Sequence, residues 1–182
     1  EALLNGGISL LEVAYRSPIA TKAIGEAAQY PGMTVGAGTV LTKEQMKEAI
    51  GAGAQFILSP GFNPKLAKAC NDKKVPFIPG VATPSEVTMA MEAGLTTLKY
   101  FPAEAFGGPR AIKAIAAAFP GIRFIPAGGI SLSNLGDYLR IPSVIACSGS
   151  WMIDKSSLNR GHYNEITIQS LNTLEKITLL ND

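Results

Sequence analysis

"EALLNGGISLLEV", residues 1–13, has the same shape as "KEAIGAGAQFILS", residues 47–59. Each reads as a helix tail, a glycine that ends the helix, and an apolar run that suits a strand. The chain therefore opens inside a helix at Glu1–Asn5, and a strand is expected ahead of that helix. Downstream, seven short runs read as strands: Ile8–Tyr15, Met33–Val40, Ala54–Ser59, Val75–Val81, Thr96–Phe101, Arg123–Pro126 and Ser143–Cys147. They are rich in Val, Ile, Leu and Phe, as strands covered on both faces tend to be. Each of the last six is followed by a loop of small or turn-forming residues: "GAGT", "SPGFNP", "PGVATP", "FPAEAFGG", "PAGGIS" and "SGSW". Helical stretches follow most of these loops. Thr42-x-x-Gln45 and Thr83-x-x-Glu86 have capping-box spacing, Pro84 suits a first helical position, and Asn63-Pro64 is a cap followed by proline. Repeated βα units allow a doubly wound sheet or a (β/α)8 TIM barrel. Seven strands plus the one expected before Glu1 make eight, the barrel number. The expected fold is α/β, a single (β/α)8 barrel domain over residues 1–182 whose first strand and start of the first helix lie outside this sequence. A seven-stranded open sheet is the alternative.

Composition fits that fold. Of 182 residues, 47% are hydrophobic and 16% charged, which argues for a covered sheet and against disorder. A net charge of +2 is too small to imply a nucleic-acid partner. No run approaches the ~20 apolar residues of a membrane span. No signal peptide is evident, so a cytoplasmic protein is expected. Cys70 and Cys147 lack metal-like spacing and read as reduced, buried thiols. The sole histidine, His162, lies in a polar stretch, which argues against a His-based triad or metal site.

One lysine breaks the apolar pattern. "TTLKYFP", residues 96–102, puts Lys99 in a run that otherwise reads as a buried strand. Side chains alternate along a strand, so Thr97, Lys99 and Phe101 share one face. In "LLEVAYR", Leu10, Glu12 and Ala14 share a face by the same rule. Barrel active sites lie at the C-terminal ends of the strands, so both polar residues can enter the same lumen. A lysine held among apolar groups gains access to its neutral, nucleophilic amine, which forms a Schiff base with a ketone or aldehyde. A nearby carboxylate can then move protons. A plain Lys99–Glu12 ion pair is the competing reading. Arg16 follows its strand and can grip a carboxylate, or be an ordinary surface arginine. The Thr39 hydroxyl can bind substrate or cap a loop. Gly128-Gly129 and "SGS", residues 148–150, follow the last two strands, where phosphate often sits on backbone N–H groups. Glu104 reads as an acid at a helix start, and Trp151 as packing.

The motifs "LLEVAYRS", "VGAGTVL", "ILSPG", "IPGVATPSE", "LKYFPAEAFGG", "PAGGIS" and "SGSW" resemble, in order, the class I aldolases for 2-keto-3-deoxy-6-phosphogluconate (KDPG) and 4-hydroxy-2-oxoglutarate (KHG). The resemblance implies a (β/α)8 barrel, usually a homotrimer, with no metal and no cofactor. It implies cleavage of a small keto-acid substrate: KDPG to pyruvate and glyceraldehyde 3-phosphate, and KHG to pyruvate and glyoxylate. Carried over, Lys99 resembles the Schiff-base lysine and Glu12 the general acid/base. Arg16 and Thr39 resemble binders of the pyruvate-derived carboxylate end, with Pro60 and Phe101 lining the pocket. Gly128, Gly129 and Ser150 resemble the phosphate site. The family commonly has threonine where this chain has Ala127, near the substrate C4 hydroxyl, so this position bears on stereoselectivity between the gluconate and galactonate epimers. An isomerase or epimerase on a similar barrel, with Glu12 as base, is a competing function. A barrel that only binds a phosphorylated ligand is another.

Overall fold

The computed structural model describes residues 1–180. Its architecture is α/β with parallel strand pairing. The chain divides into two units, Leu10–Phe101, and Glu1–Ser9 together with the chain from Pro102 onward.

The Leu10–Phe101 unit holds five strands: β1 (Leu10–Ala14), β2 (Thr34–Gly38), β3 (Phe56–Ser59), β4 (Phe77–Val81) and β5 (Thr97–Tyr100). They lie side by side in chain order. Four of its helices alternate with the strands: α2 (Ala20–Ala27), α3 (Lys43–Gly51), α4 (Pro64–Asp72) and α5 (Pro84–Glu92). The expected caps form. The Thr83 and Glu86 side chains exchange hydrogen bonds with each other's backbone N–H. Asn63 accepts from the N–H of Lys65 and Leu66 ahead of α4. Thr42 caps α3, but the Gln45 side chain accepts from Leu41 rather than Thr42.

Register assigns the two faces of this sheet. Glu12 pairs with Gly36 and Ala14 with Gly38; Gly80 pairs with Lys99. Paired residues in a ladder project to the same side. Val35, Ala37, Leu98 and Tyr100 therefore occupy the opposite face, and all four are buried. Ile24, Met46, Leu66 and Val87, from the four helices, are buried too and complete the unit's apolar core.

The second unit begins with α1 (Ala2–Asn5) and continues from Pro102 through a 3-10 turn (Glu104–Phe106), α6 (Gly108–Ala118), β6 (Arg123–Pro126), α7 (Leu135–Leu139), α8 (Lys155–Arg160) and α9 (Tyr163–Thr178). The α1 helix packs against α9, where the Thr167 hydroxyl donates to the Ala2 carbonyl at 3.0 Å. Gly6 lies so close to Ser170 that a methyl group there would overlap it. Trp151 packs as expected, its indole N–H donating to Thr173 at 3.0 Å.

One expected strand is corrected. Ser143–Cys147 forms no continuous strand; residues 143–148 make only isolated parallel bridges, Phe124 with Val144 and Ala127 with Ser148. Ile145 N–H donates to the Phe124 carbonyl, but the Pro126 carbonyl is taken by Ser148 rather than Cys147. Three residues thus advance against two on β6, a bulge that interrupts the ladder. The described residues therefore hold six strands, not seven. No helix among them is long and apolar enough to cross a membrane.

Candidate active site

Lys99 is 7% exposed, and its ammonium nitrogen lies 3.0 Å from Glu12 Oε1 and 3.4 Å from Oε2. The two residues are on β5 and β1, which three strands separate. Four strand spacings in a flat sheet come to about 19 Å, beyond the reach of two side chains. The sheet of this unit is therefore curled, and the pair sits on its concave face.

Small residues on that face make the approach possible. A methyl at Gly38 would overlap the Glu12 carboxylate, so this glycine is the space the carboxylate occupies. A methyl at Gly36 would run into the Phe56 ring. On β4, a methyl at Gly80 would overlap the Pro60 carbonyl, so the loop after β3 lies against the strand next to Lys99. Ser59, buried at the end of β3, shapes that loop by donating to the Gly61 carbonyl at 2.7 Å. The Phe101 ring centroid is 5.3 Å from the Lys99 nitrogen, within cation–π range.

Other expected residues sit at strand ends. Thr39 follows β2 with φ 55, a left-handed backbone that β-branched residues rarely adopt. Such strain tends to persist where the surroundings and function demand it. Arg16 is exposed two residues after β1, with no ion-pair partner among the described residues. Its turn is anchored on both sides. Tyr15 N–H donates to the Gly38 carbonyl at 2.7 Å, and the Tyr15 hydroxyl meets that of Thr21 at 2.6 Å.

Gly128, Gly129, Ser150 and Ala127 belong to the second unit. Gly128 and Gly129 follow β6 with φ of 94 and 82, which only glycine adopts easily. The parallel bridge between Ala127 and Ser148 ties the start of this turn to the Ser148 backbone. The Asn134 side chain closes this loop, donating to the Gly129 carbonyl at 3.0 Å and accepting from Ser131 N–H at 2.8 Å. Ala127 is buried, and its carbonyl accepts from Ala103 N–H. Ser150 is exposed in the loop after the bulge. Gly38, Gly80, Asn134 and Tyr138 were not singled out from sequence. A glycine inside a strand was the available signal for the first two.

The remaining titratable groups fit a structural reading. Cys70 is buried and Cys147 half-buried, and burial pushes their thiols up to about 11 and about 12. His162 is exposed and faces Glu165 at 3.5 Å.

Residues 1–169 match the family model for KDPG and KHG aldolase. The 2-dehydro-3-deoxy-phosphogluconate aldolase of Treponema pallidum is 43% identical over 180 residues, covering 98% of this chain and 86% of that protein. The KHG/KDPG aldolase of Escherichia coli K12 is 46% identical over 168 residues, 92% of this chain and 79% of its own length. The crystal structure of the Legionella pneumophila KDPG aldolase, with pyruvate captured as a covalent carbinolamine, superposes with a TM-score of 0.91 at 38% identity. That alignment covers 94% of this chain and 84% of the Legionella chain. With a match of this extent, and a buried lysine paired with a carboxylate on a curled parallel sheet, the chain belongs to the KDPG and KHG aldolase family of carbon–carbon lyases.

Proposed function

We propose that this protein is a Schiff-base-forming class I aldolase. It cleaves 2-keto-3-deoxy-6-phosphogluconate to pyruvate and D-glyceraldehyde 3-phosphate, and 4-hydroxy-2-oxoglutarate to pyruvate and glyoxylate. It works as a single (β/α)8 barrel domain, in a homotrimer. The observation that carries the reading is Lys99, buried on a concave sheet face with a carboxylate 3.0 Å from its nitrogen.

The chemistry follows from that contact. Passing one proton from Lys99 to Glu12 leaves a neutral amine beside a carboxylic acid. The amine attacks the C2 ketone and gives a carbinolamine. Glu12 supplies a proton to the departing hydroxyl, which leaves as water, and the iminium remains. Glu12, now a carboxylate, takes the C4 hydroxyl proton through a water molecule. The C3–C4 bond breaks, its electron pair moves into the enamine, and the aldehyde leaves. Protonation at C3 and hydrolysis release pyruvate and restore Lys99. Arg16 and Thr39 hold the substrate carboxylate, while Pro60 and Phe101 line the pocket. Gly128, Gly129 and Ser150 hold the phosphate, and Ala127 bears on the configuration accepted at C4. The covalent pyruvate in the Legionella relative supports the carbinolamine step.

Borohydride reduction in the presence of pyruvate tests this. The expected product carries one carboxyethyl group on the Lys99 nitrogen, located by peptide mass spectrometry. A protein that releases pyruvate from either substrate yet forms no adduct at Lys99 overturns the mechanism.

A further inference from the structure

Glu104 has no part in the chemistry above, yet it grips the glycine loop in two ways. Its N–H donates to the Gly128 carbonyl at 3.1 Å. Its side chain lies across Gly129, where an added Cβ would stand 2.5 Å from Glu104 Cγ and 2.7 Å from its Cβ. That side chain is tied in turn by Tyr138 of α7, whose hydroxyl donates to Glu104 Oε1. Tyr138 is fully buried, and a buried tyrosine needs a partner for its hydroxyl. The ring is thus a fixed post, and the carboxylate is held against it. Gly108, at the start of α6, also lies close, with an added Cβ 3.2 Å from Glu104 Oε1 and 3.3 Å from the Tyr138 hydroxyl.

We infer that Glu104, held by Tyr138, is a positioning residue for the phosphate end of the substrate; this rests on the phosphate reading of Gly128 and Gly129 proposed above. The bond to Tyr138 does two things. It backs the loop, so the backbone of Gly128 and Gly129 keeps one orientation. It also prevents a loose carboxylate from swinging beside a dianion, where like charges repel. Asn134 holds the loop independently from the Gly129 carbonyl and Ser131.

The test compares a phosphorylated substrate with a reaction that involves no phosphate. Pyruvate release from 2-keto-3-deoxy-6-phosphogluconate reads the first. Exchange of pyruvate methyl protons with deuterated water reads the second, since it needs only the Lys99 enamine. Tyr138→Phe and Glu104→Ala are expected to raise KM for the phosphorylated substrate about five- to tenfold and to leave pyruvate exchange within about twofold of the parent. Glu104→Gln keeps the shape and still accepts from Tyr138, so its KM is expected near the parent value. Equal losses in both reactions overturn the inference, because a merely structural role weakens both alike. An unchanged KM in Tyr138→Phe, or a Glu104→Gln as impaired as Glu104→Ala, also overturns it. A parent protein inactive in both reactions instead sinks the aldolase reading beneath it.

Discussion

Lys99 Nζ and Glu12 Oε1 lie 3.0 Å apart although β2, β3 and β4 run between their strands. The contact measures curvature and chemistry at once. Only a curled sheet brings the two side chains together, and the proposed chemistry needs a carboxylate this close to the amine. Both groups are largely out of water, with side-chain exposures of 8% and 21%. A buried ion pair is weak evidence for stability, so stability alone does not account for this one.

Lys99→Arg separates charge from nucleophilicity. Arginine keeps a cation opposite Glu12 but cannot form an imine at neutral pH. Pyruvate release is expected to fall by about 10⁴-fold or more, while the circular dichroism spectrum stays that of the parent. Residual activity within tenfold of the parent would remove Lys99 from the reaction.

Gly38→Ala attacks the same pair from the neighbouring strand. The new methyl overlaps the Glu12 carboxylate and forces it aside. Misplacement of this kind is expected to lower kcat about 10²-fold. Overpacking adds a destabilisation of about 1–3 kcal/mol, readable by urea titration. A variant with normal kcat would show that Glu12 need not stand where Gly38 leaves room.

Thr39→Gly relieves the left-handed backbone at φ 55. Glycine adopts that conformation without steric cost but loses more freedom on folding. Stability is therefore expected to change by less than about 1 kcal/mol. Loss of the hydroxyl is expected to raise KM for the keto acid several-fold. Equal KM values for parent and variant would take Thr39 out of substrate binding.

The two thiols make stability depend on alkaline pH. Burial raises Cys70 to about 11 and Cys147 to about 12, above the ordinary value near 9. Between pH 9 and 11 the unfolded chain loses thiol protons that the folded chain keeps. The folded state then binds more protons, so stability falls as pH rises through this window and is insensitive to these groups below it. Urea midpoints at pH 8 and pH 10 should differ in that direction, and Cys70→Ala should shrink the difference. An identical pH dependence in Cys70→Ala would exclude its thiol as a source.

Much of this was legible in the residues. Six of the seven expected strands form, because Val, Ile, Leu and Phe runs between turn residues leave little else to adopt. The caps at Asn63 and Thr83 were readable because side chain and backbone bond within a few residues. The shared face of Thr97, Lys99 and Phe101 followed from alternation, and the barrel reading turned it inward. The seventh strand was misread because a bulge opposite Pro126 is a matter of pairing, which composition does not reveal. The Glu104–Tyr138 bond joins residues 34 positions apart and leaves no local pattern. A local reading made Glu104 an acid at a helix start. It does open a helical turn, of three residues, but its carboxylate serves Tyr138.

The sequence by itself determined the βα rhythm, the capped starts of α3, α4 and α5, and the residue types able to do the chemistry. These depend on near neighbours, through periodicity and capping. Only the tertiary structure decided which of those residues meet. Eighty-seven positions separate Glu12 from Lys99, and the curl of the sheet, with the space that Gly38 leaves open, brings them within a hydrogen bond. Contacts of that range follow from strand order, register and curvature, which emerge only when the strands pair.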